Sequence, residues 1–142
     1  MAEKIVVGID TSDGGRSALV WALREAALRG AAVEAVHAWF PSWAEGFNTE
    51  WMSDREFFEK EIRTELGRTI ADAQVEADTT IEPTLVLVAG ESAARSLIDA
   101  AADASLLVVG SRGRGGFAGL TLGSVSTACV HHGHCPVVVV RP

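Results

Sequence analysis

From Ala104 to Pro142 the sequence has no aspartate and no glutamate. Nothing in that stretch repels an anion. Cysteine is scarce as well: Cys129 and Cys135 are too few and too close together for the disulfide framework of a secreted domain, so reduced, partly buried thiols are expected. No apolar run approaches the ~18 residues of a membrane span, because Gly, Asp or His interrupts each one at strand length. Met1-Ala-Glu-Lys-Ile-Val-Val-Gly8 has no basic segment leading into a long apolar stretch and a cleavage site, which predicts a soluble cytoplasmic protein with no membrane partner. A basic stripe is missing too. The net charge is −7, and Glu45 to Glu82 accounts for all of it with eleven acids against four bases, leaving eight against eight elsewhere. An acidic middle helix and no basic face argue against nucleic acid as a partner.

What is abundant is glycine in one place. Gly110-Ser-Arg-Gly-Arg-Gly-Gly-Phe-Ala-Gly-Leu-Thr-Leu-Gly-Ser124 follows the apolar run Ser105-Leu-Leu-Val-Val109 and precedes a short helical segment. Without Cβ atoms, backbone N–H groups can approach a phosphate closely, and Gly123-Ser124 opens a helix whose first N–H groups have no intrahelical partner. Arg112 and Arg114 add positive charge. The stretch reads as an anion-binding turn, and a nucleotide phosphate is its favoured occupant over a plain solvated loop.

With 142 residues the chain is one domain, able to bury roughly two-thirds of its unfolded surface. No internal repeat, linker or low-complexity tract divides it. Lys4 to Asp10 is a short apolar run ending in Asp, the pattern of a strand buried on both faces. Thr11-Ser-Asp13 offers helix caps, and Ala18, Trp21, Ala22, Glu25, Ala26 and Leu28 follow at helical spacing up to Gly30. Ala32 to Trp39 is the second strand. The connection from Phe40 to Glu50 carries Pro41, Trp43 and Phe47, which with Trp39 and Trp51 form an aromatic cluster, either packing or a lid. Phe58, Ile62, Leu66, Ile70 and Ala73 mark the apolar stripe of a long helix from Trp51 to about Ala77. Thr80 to Val88 is a third strand, at an edge because of Pro83. A short helix follows Gly90-Glu-Ser92 and ends near Asp103. Ser105–Val109, a helix from Gly123 to about His132, and Pro136–Arg141 complete an alternation of five strands with four helices. Such alternation predicts a mainly parallel sheet with helices on both faces, and a ligand outside the carboxyl ends of the strands where strand order reverses.

Gly110-x-x-Gly113, nine residues, then Gly123-Ser124 is the pattern G-2x-G-9x-G-[S/T], and in it the chain resembles the universal stress protein family. The likeness runs the full length, through Val6-Val-Gly-Ile-Asp10, Val36-His-Ala38, Val108-Val-Gly-Ser-Arg-Gly113, Gly123-Ser-Val-Ser126 and Cys135-Pro-Val-Val-Val-Val140. The resemblance implies a five-stranded parallel sheet in the order 3-2-1-4-5, a Rossmann-like adenine nucleotide-binding fold with Asp10 beside Gly110. It implies the ATP-binding branch of the family, with ATP bound together with Mg2+ and with ADP and AMP as open alternatives. Carried over residue by residue, Asp10 approaches the ribose or a phosphate-bound metal, and the backbone at Ala38 faces adenine. Val109, Gly110, Arg112 and Gly113 line the ribose and phosphates, and Gly123, Ser124 and Val125 hold the outer phosphates. Residues 137–141 are implied to pair with a second copy as a homodimer.

Other constellations are weaker. His131, His132 and His134 between Cys129 and Cys135 match no zinc spacing and are expected to be ordinary core or surface histidines. His37 is expected to be packed rather than a catalytic base. Ser12-Asp-Gly-Gly-Arg-Ser17 departs from a pyrophosphatase loop at its first glycine and its aspartate. Gly119-Leu-Thr-Leu-Gly-Ser124 lacks the glycine spacing and the lysine of a Walker loop. No acid follows the glycine loop to hold a metal or position water. The favoured function is therefore a nucleotide-dependent regulatory module in a stress response. A slow ATPase or nucleotidyl-transfer enzyme, and a structural dimer without ligand, stand as alternatives.

Overall fold

In a computed structural model that describes residues 3–39, 49–112 and 122–142, the strands are β1 (Lys4–Gly8), β2 (Ala32–Trp39), β3 (Thr84–Ala89), β4 (Leu106–Gly110) and β5 (Val137–Val140). The helices are α1 (Asp13–Arg29), α2 (Thr49–Ala77), α3 (Ala93–Ala100) and α4 (Ser124–His132). All strand pairings are parallel and the order is β3-β2-β1-β4-β5, as expected. The reversal falls between β1 and β4, where Ile5, Val6 and Val7 stand opposite Leu106, Leu107 and Val108.

Strand alternation divides the core into two layers. Ile5, Val7, Val33, Ala35, Leu106 and Val108 face α1 and α2, and pack against Leu19, Leu23 and Leu66. Val6, Val36, Leu107 and Val109 face the other way, with Leu97, Ile98 and Cys129. Each central strand is buried on both faces, which is why it reads as a continuous apolar run.

Local signals set most boundaries. Ser12 caps α1 by accepting from the Gly15 N–H at 3.1 Å, and Gly30 ends the helix in the left-handed conformation at φ 68°. Ser92 caps α3 in the same way, accepting from the Arg95 N–H at 3.2 Å. Several expectations need correction. The third strand starts at Thr84 and not Thr80, because Pro83 has no N–H to donate and pairing with Glu34 begins just after it. It does lie at an edge of the sheet. The first strand ends at Gly8, so Asp10 belongs to the turn beyond it. Gly110 is the last residue of β4 rather than the first of the loop. On α1, Leu28 is 83% exposed, and Leu19 and Leu23 do the burying instead. On α2, Phe58 points outward against Phe57, while Leu66 and Ala73 are fully buried. The expected aromatic cluster falls largely on Pro41, Trp43 and Phe47, outside the described residues.

Both cysteines are free thiols. Burial pushes the Cys129 thiol up to about 11, and burial also raises Cys135, so thiolate is scarce at neutral pH in either case. At about pH 8 a disulfide-exchange reagent is expected to modify Cys135 slowly in the native chain and Cys129 only after unfolding. Mass spectrometry of the labelled protein, read without reduction, checks this, and rapid native labelling of Cys129 would contradict the packing.

Candidate functional site at the sheet reversal

At the carboxyl ends of β1 and β4 the neighbouring strand connections leave in opposite directions, α1 to one face and α4 to the other. The crevice between such connections is where ligands of open parallel sheets sit. Asp10 stands at the β1 side. One of its carboxylate oxygens accepts from the Ser12 N–H at 2.9 Å and from the Ser12 hydroxyl, so the carboxylate is tied to the residue that caps α1. The first turn of α1 then lies directly against this corner. A Cβ at Gly15 would come within 2.7 Å of that carboxylate oxygen, and one at Gly110 within 2.9 Å of the Gly14 carbonyl oxygen.

The two described ends of the glycine stretch are pinned together. The ladder of β4 and β5 extends one residue, with the Ser111 N–H donating to the Val140 carbonyl at 2.9 Å. The Ser111 carbonyl then accepts from the Gly123 N–H at 2.6 Å and from the Ser126 hydroxyl at 3.0 Å. This brings the start of α4 beside the end of β4. Gly123 is its cap residue and supplies no side-chain hydrogen bond. Ser124 is exposed and Val125 half-buried in the first turn. A helix start of this kind, without a capping side chain, presents N–H groups and positive dipole to the crevice.

The other residues singled out in the sequence fall as follows. Ala38 is half-buried in β2, opposite Val88 of β3, and Trp39 next to it accepts from the Gly90 N–H at 3.0 Å. Val109 is 3% exposed and pairs with Val139; Gly110 pairs with Val140, and Arg112 follows at the end of the described segment. Gly113 and Arg114 lie outside the described residues. The structure therefore brings Asp10, Gly110 and Arg112 together around the first turn of α1, and Gly123, Ser124 and Val125 to the end of β4 through Ser111. His37 is a packed residue whose Nδ1 donates to the Ile9 carbonyl at 2.8 Å, which fixes its tautomer. His131 and His132 are exposed in the last turn of α4. Among the described residues no group of three or more His, Cys, Asp or Glu is placed to hold a metal ion. A nucleotide-bound divalent ion needs less, since one or two carboxylates and phosphate oxygens suffice, and Asp10 fits that requirement.

Four site residues were not anticipated: Gly14, Gly15, Ser111 and Ser126. Ser111 and Ser126 are 3% and 2% exposed; the buried Ser126 hydroxyl has the Ser111 and Gly123 carbonyls as acceptors at 3.0 Å each, and the Ser111 N–H and carbonyl are paired. The adjacent pair Gly14-Gly15 in the first turn of a helix was the available signal, because glycine disfavours helix unless another backbone needs the space.

This arrangement defines a class: a Rossmann-like α/β protein with a glycine-lined crevice at the strand-order reversal. More narrowly, the universal stress protein family matches residues 1–141, and the chain belongs to that family. A universal stress protein of Mycobacterium tuberculosis strain H37Rv is 38% identical over 146 residues, covering 96% of this chain but 43% of that protein. The chain spans about half the length of the curated relatives it matches. Among solved structures, a universal stress protein from Archaeoglobus fulgidus in complex with dAMP aligns with a TM-score of 0.64 at 25% identity, over 96% of each chain. A universal stress protein in complex with cAMP aligns with a TM-score of 0.67 at 24% identity, over 99% of this chain and 97% of the other, and supports the fold.

Proposed function

We propose that this chain binds an adenine nucleotide at the sheet reversal, ATP with Mg2+ in the first instance, and acts as a nucleotide-dependent regulatory module in a stress response. The observation that carries the reading is the Ser111 carbonyl, which gathers the uncapped start of α4 to the end of β4 beside the Asp10 corner. The same place holds no acid after Ala104. The dAMP complex of the Archaeoglobus fulgidus relative supports an adenine nucleotide as the ligand class.

In this reading the Gly110 and Gly113 backbone, Arg112 and the first N–H groups of α4 from Gly123, Ser124 and Val125 meet the phosphates, where amide dipoles and guanidinium offset their charge. Val109 lines the ribose, and the Ala38 backbone meets the base. Asp10 accepts from ribose hydroxyls or takes a place on the magnesium ion. Mg2+ bound with the nucleotide neutralises phosphate charge. The chain offers no Walker lysine and no acid beyond the glycine loop to orient water, so any phosphate release is slow and the response is binding itself. Bound nucleotide would shift the chain between two states that differ in partner affinity. The edge strand β5, whose four valines are all half-buried and which among the described residues pairs with β4 and no second strand, offers the surface for a homodimer through Val137 to Arg141. Free thiols suit a reducing cytoplasm.

Asp10→Ala is expected to weaken MgATP binding by about 10- to 100-fold, the effect of losing a charged hydrogen-bond acceptor. Calorimetric titration of nucleotide-free protein checks this. Equal affinities in the variant and the parent would remove Asp10 from the site.

A further inference from the structure

At Gly14 the first turn of α1 meets the segment that follows β4 backbone to backbone. A Cβ on Gly14 would run into the Arg112 carbonyl oxygen, and a Cβ on Gly110 would sit 2.9 Å from the Gly14 carbonyl oxygen and 3.0 Å from its carbon. The contact is reciprocal, glycine against backbone from both sides. Contacts this close leave no room for even one methyl group, and neither Gly14 nor Gly110 has the positive φ that would make glycine necessary on conformational grounds. Close approach is therefore what glycine supplies here.

The two partners differ in how firmly they are held. Helix α1 is anchored along its length by Ala18, Leu19, Ala22, Leu23 and Ala26, all fully buried. It is tied to the end of α2 by Arg24 Nη2 donating to the Glu76 carbonyl at 3.0 Å and by Arg16 facing the Glu76 carboxylate at 3.8 Å. On the other side Ser111 is fixed by three hydrogen bonds at its N–H and carbonyl. Arg112 is the first residue past that anchor. A methyl group at Gly14 would thus displace the Arg112 carbonyl in preference to the helix or Ser111. Because the peptide unit is planar, turning that carbonyl turns the N–H of the next residue with it.

We propose that Gly14 is a positioning residue for the nucleotide site, seating the Arg112 carbonyl against the first turn of α1 and so setting the direction in which the chain enters its glycine loop. Its link to affinity rests on the nucleotide-binding reading above; its effect on the turn does not. A site held to within about half an ångström loses affinity when its entry peptide rotates.

The test compares parent, Gly14→Ala, Gly67→Ala and Leu66→Ala. Gly67 lies in α2 with nothing within 4 Å of an added Cβ, and its neighbour Leu66 is fully buried in the core that α2 covers. In the nucleotide-free chains, Gly14→Ala is expected to move the Arg112 carbonyl resonance in 13C-resolved spectra, while Gly67→Ala leaves it in place. MgATP affinity should fall about 10-fold or more in Gly14→Ala. It should hold in Leu66→Ala, which lowers the melting temperature more. An unmoved Arg112 carbonyl resonance in Gly14→Ala would overturn the proposal. A moved resonance with no nucleotide binding in the parent would leave the seat standing and sink the nucleotide reading instead. If Gly14→Ala does not fold, hydrogen exchange in the parent decides: MgATP should slow the Gly14 and Arg112 amides together, and protection of Arg112 without Gly14 would overturn the seat.

Discussion

Ser124→Asp is expected to abolish MgATP binding, by about 100-fold or more, while leaving the melting temperature unchanged or higher. The two effects have opposite signs because the same charge meets two different partners. Ser124 is exposed at the first position of α4, where a carboxylate complements the helix dipole and stabilises by about 0.3 to 1 kcal/mol. A phosphate at that helix start would meet the carboxylate at contact distance, a repulsion of roughly 4 kcal/mol near a protein surface. Ser124→Asn separates charge from size and should retain most of the affinity. Thermal melts and calorimetry on the same samples read both effects, and a Ser124→Asp protein that still binds MgATP like the parent would take the phosphates away from α4.

Leu107→Ala is expected to destabilise the chain by about 2 to 5 kcal/mol, lowering the melting temperature by roughly 10 °C. Leu107 is fully buried in β4, in the layer with Val6, Val36, Leu97 and Cys129. It is enclosed by rigid neighbours, so little collapse can fill the space left by its side chain. Its N–H donates to the Pro136 carbonyl at 3.0 Å, and that bond survives the substitution. Loss therefore comes from packing rather than from the ladder. Denaturant unfolding monitored by tryptophan fluorescence gives the change directly. A cost below about 1 kcal/mol would mean that the layer beneath α3 and α4 is looser than its burial indicates.

Strand identity was legible because it rests on local, periodic signals. The second strand was readable to the residue, Ala32–Trp39, since Gly30 ends α1 before it. Helix α1 was bracketed by Thr11-Ser-Asp13 and Gly30, and of these Ser12 and Gly30 act as the caps. The order β3-β2-β1-β4-β5 came from family resemblance, not from periodicity, because pairing Ile5 with Leu106 spans about a hundred residues and leaves no local trace. Errors arose where one face had to be chosen. Phe58 and Ile62 share a helical stripe, yet Phe58 is 40% exposed while Ile62 packs on the core. Gly14 is legible only in part: the pair Gly14-Gly15 in a first helical turn signals a close approach, but the Arg112 carbonyl that it approaches lies nearly a hundred positions away. Ser111 and Ser126 look like loop and helix polar residues until the structure joins them in one hydrogen bond.

The central claim is that an adenine nucleotide occupies the corner formed by Asp10, Gly110 and the start of α4. It is tested most directly by denaturing freshly purified protein, separating the released small molecules by anion exchange, and titrating MgATP into the stripped chain and into Gly113→Asp. The account predicts adenine nucleotide released in proportion to protein, or saturable binding by the stripped parent, and neither in Gly113→Asp, where a carboxylate enters the phosphate path. No released nucleotide and no binding by the parent would contradict it, and would leave a universal stress protein fold whose glycine-lined crevice serves a structural dimer.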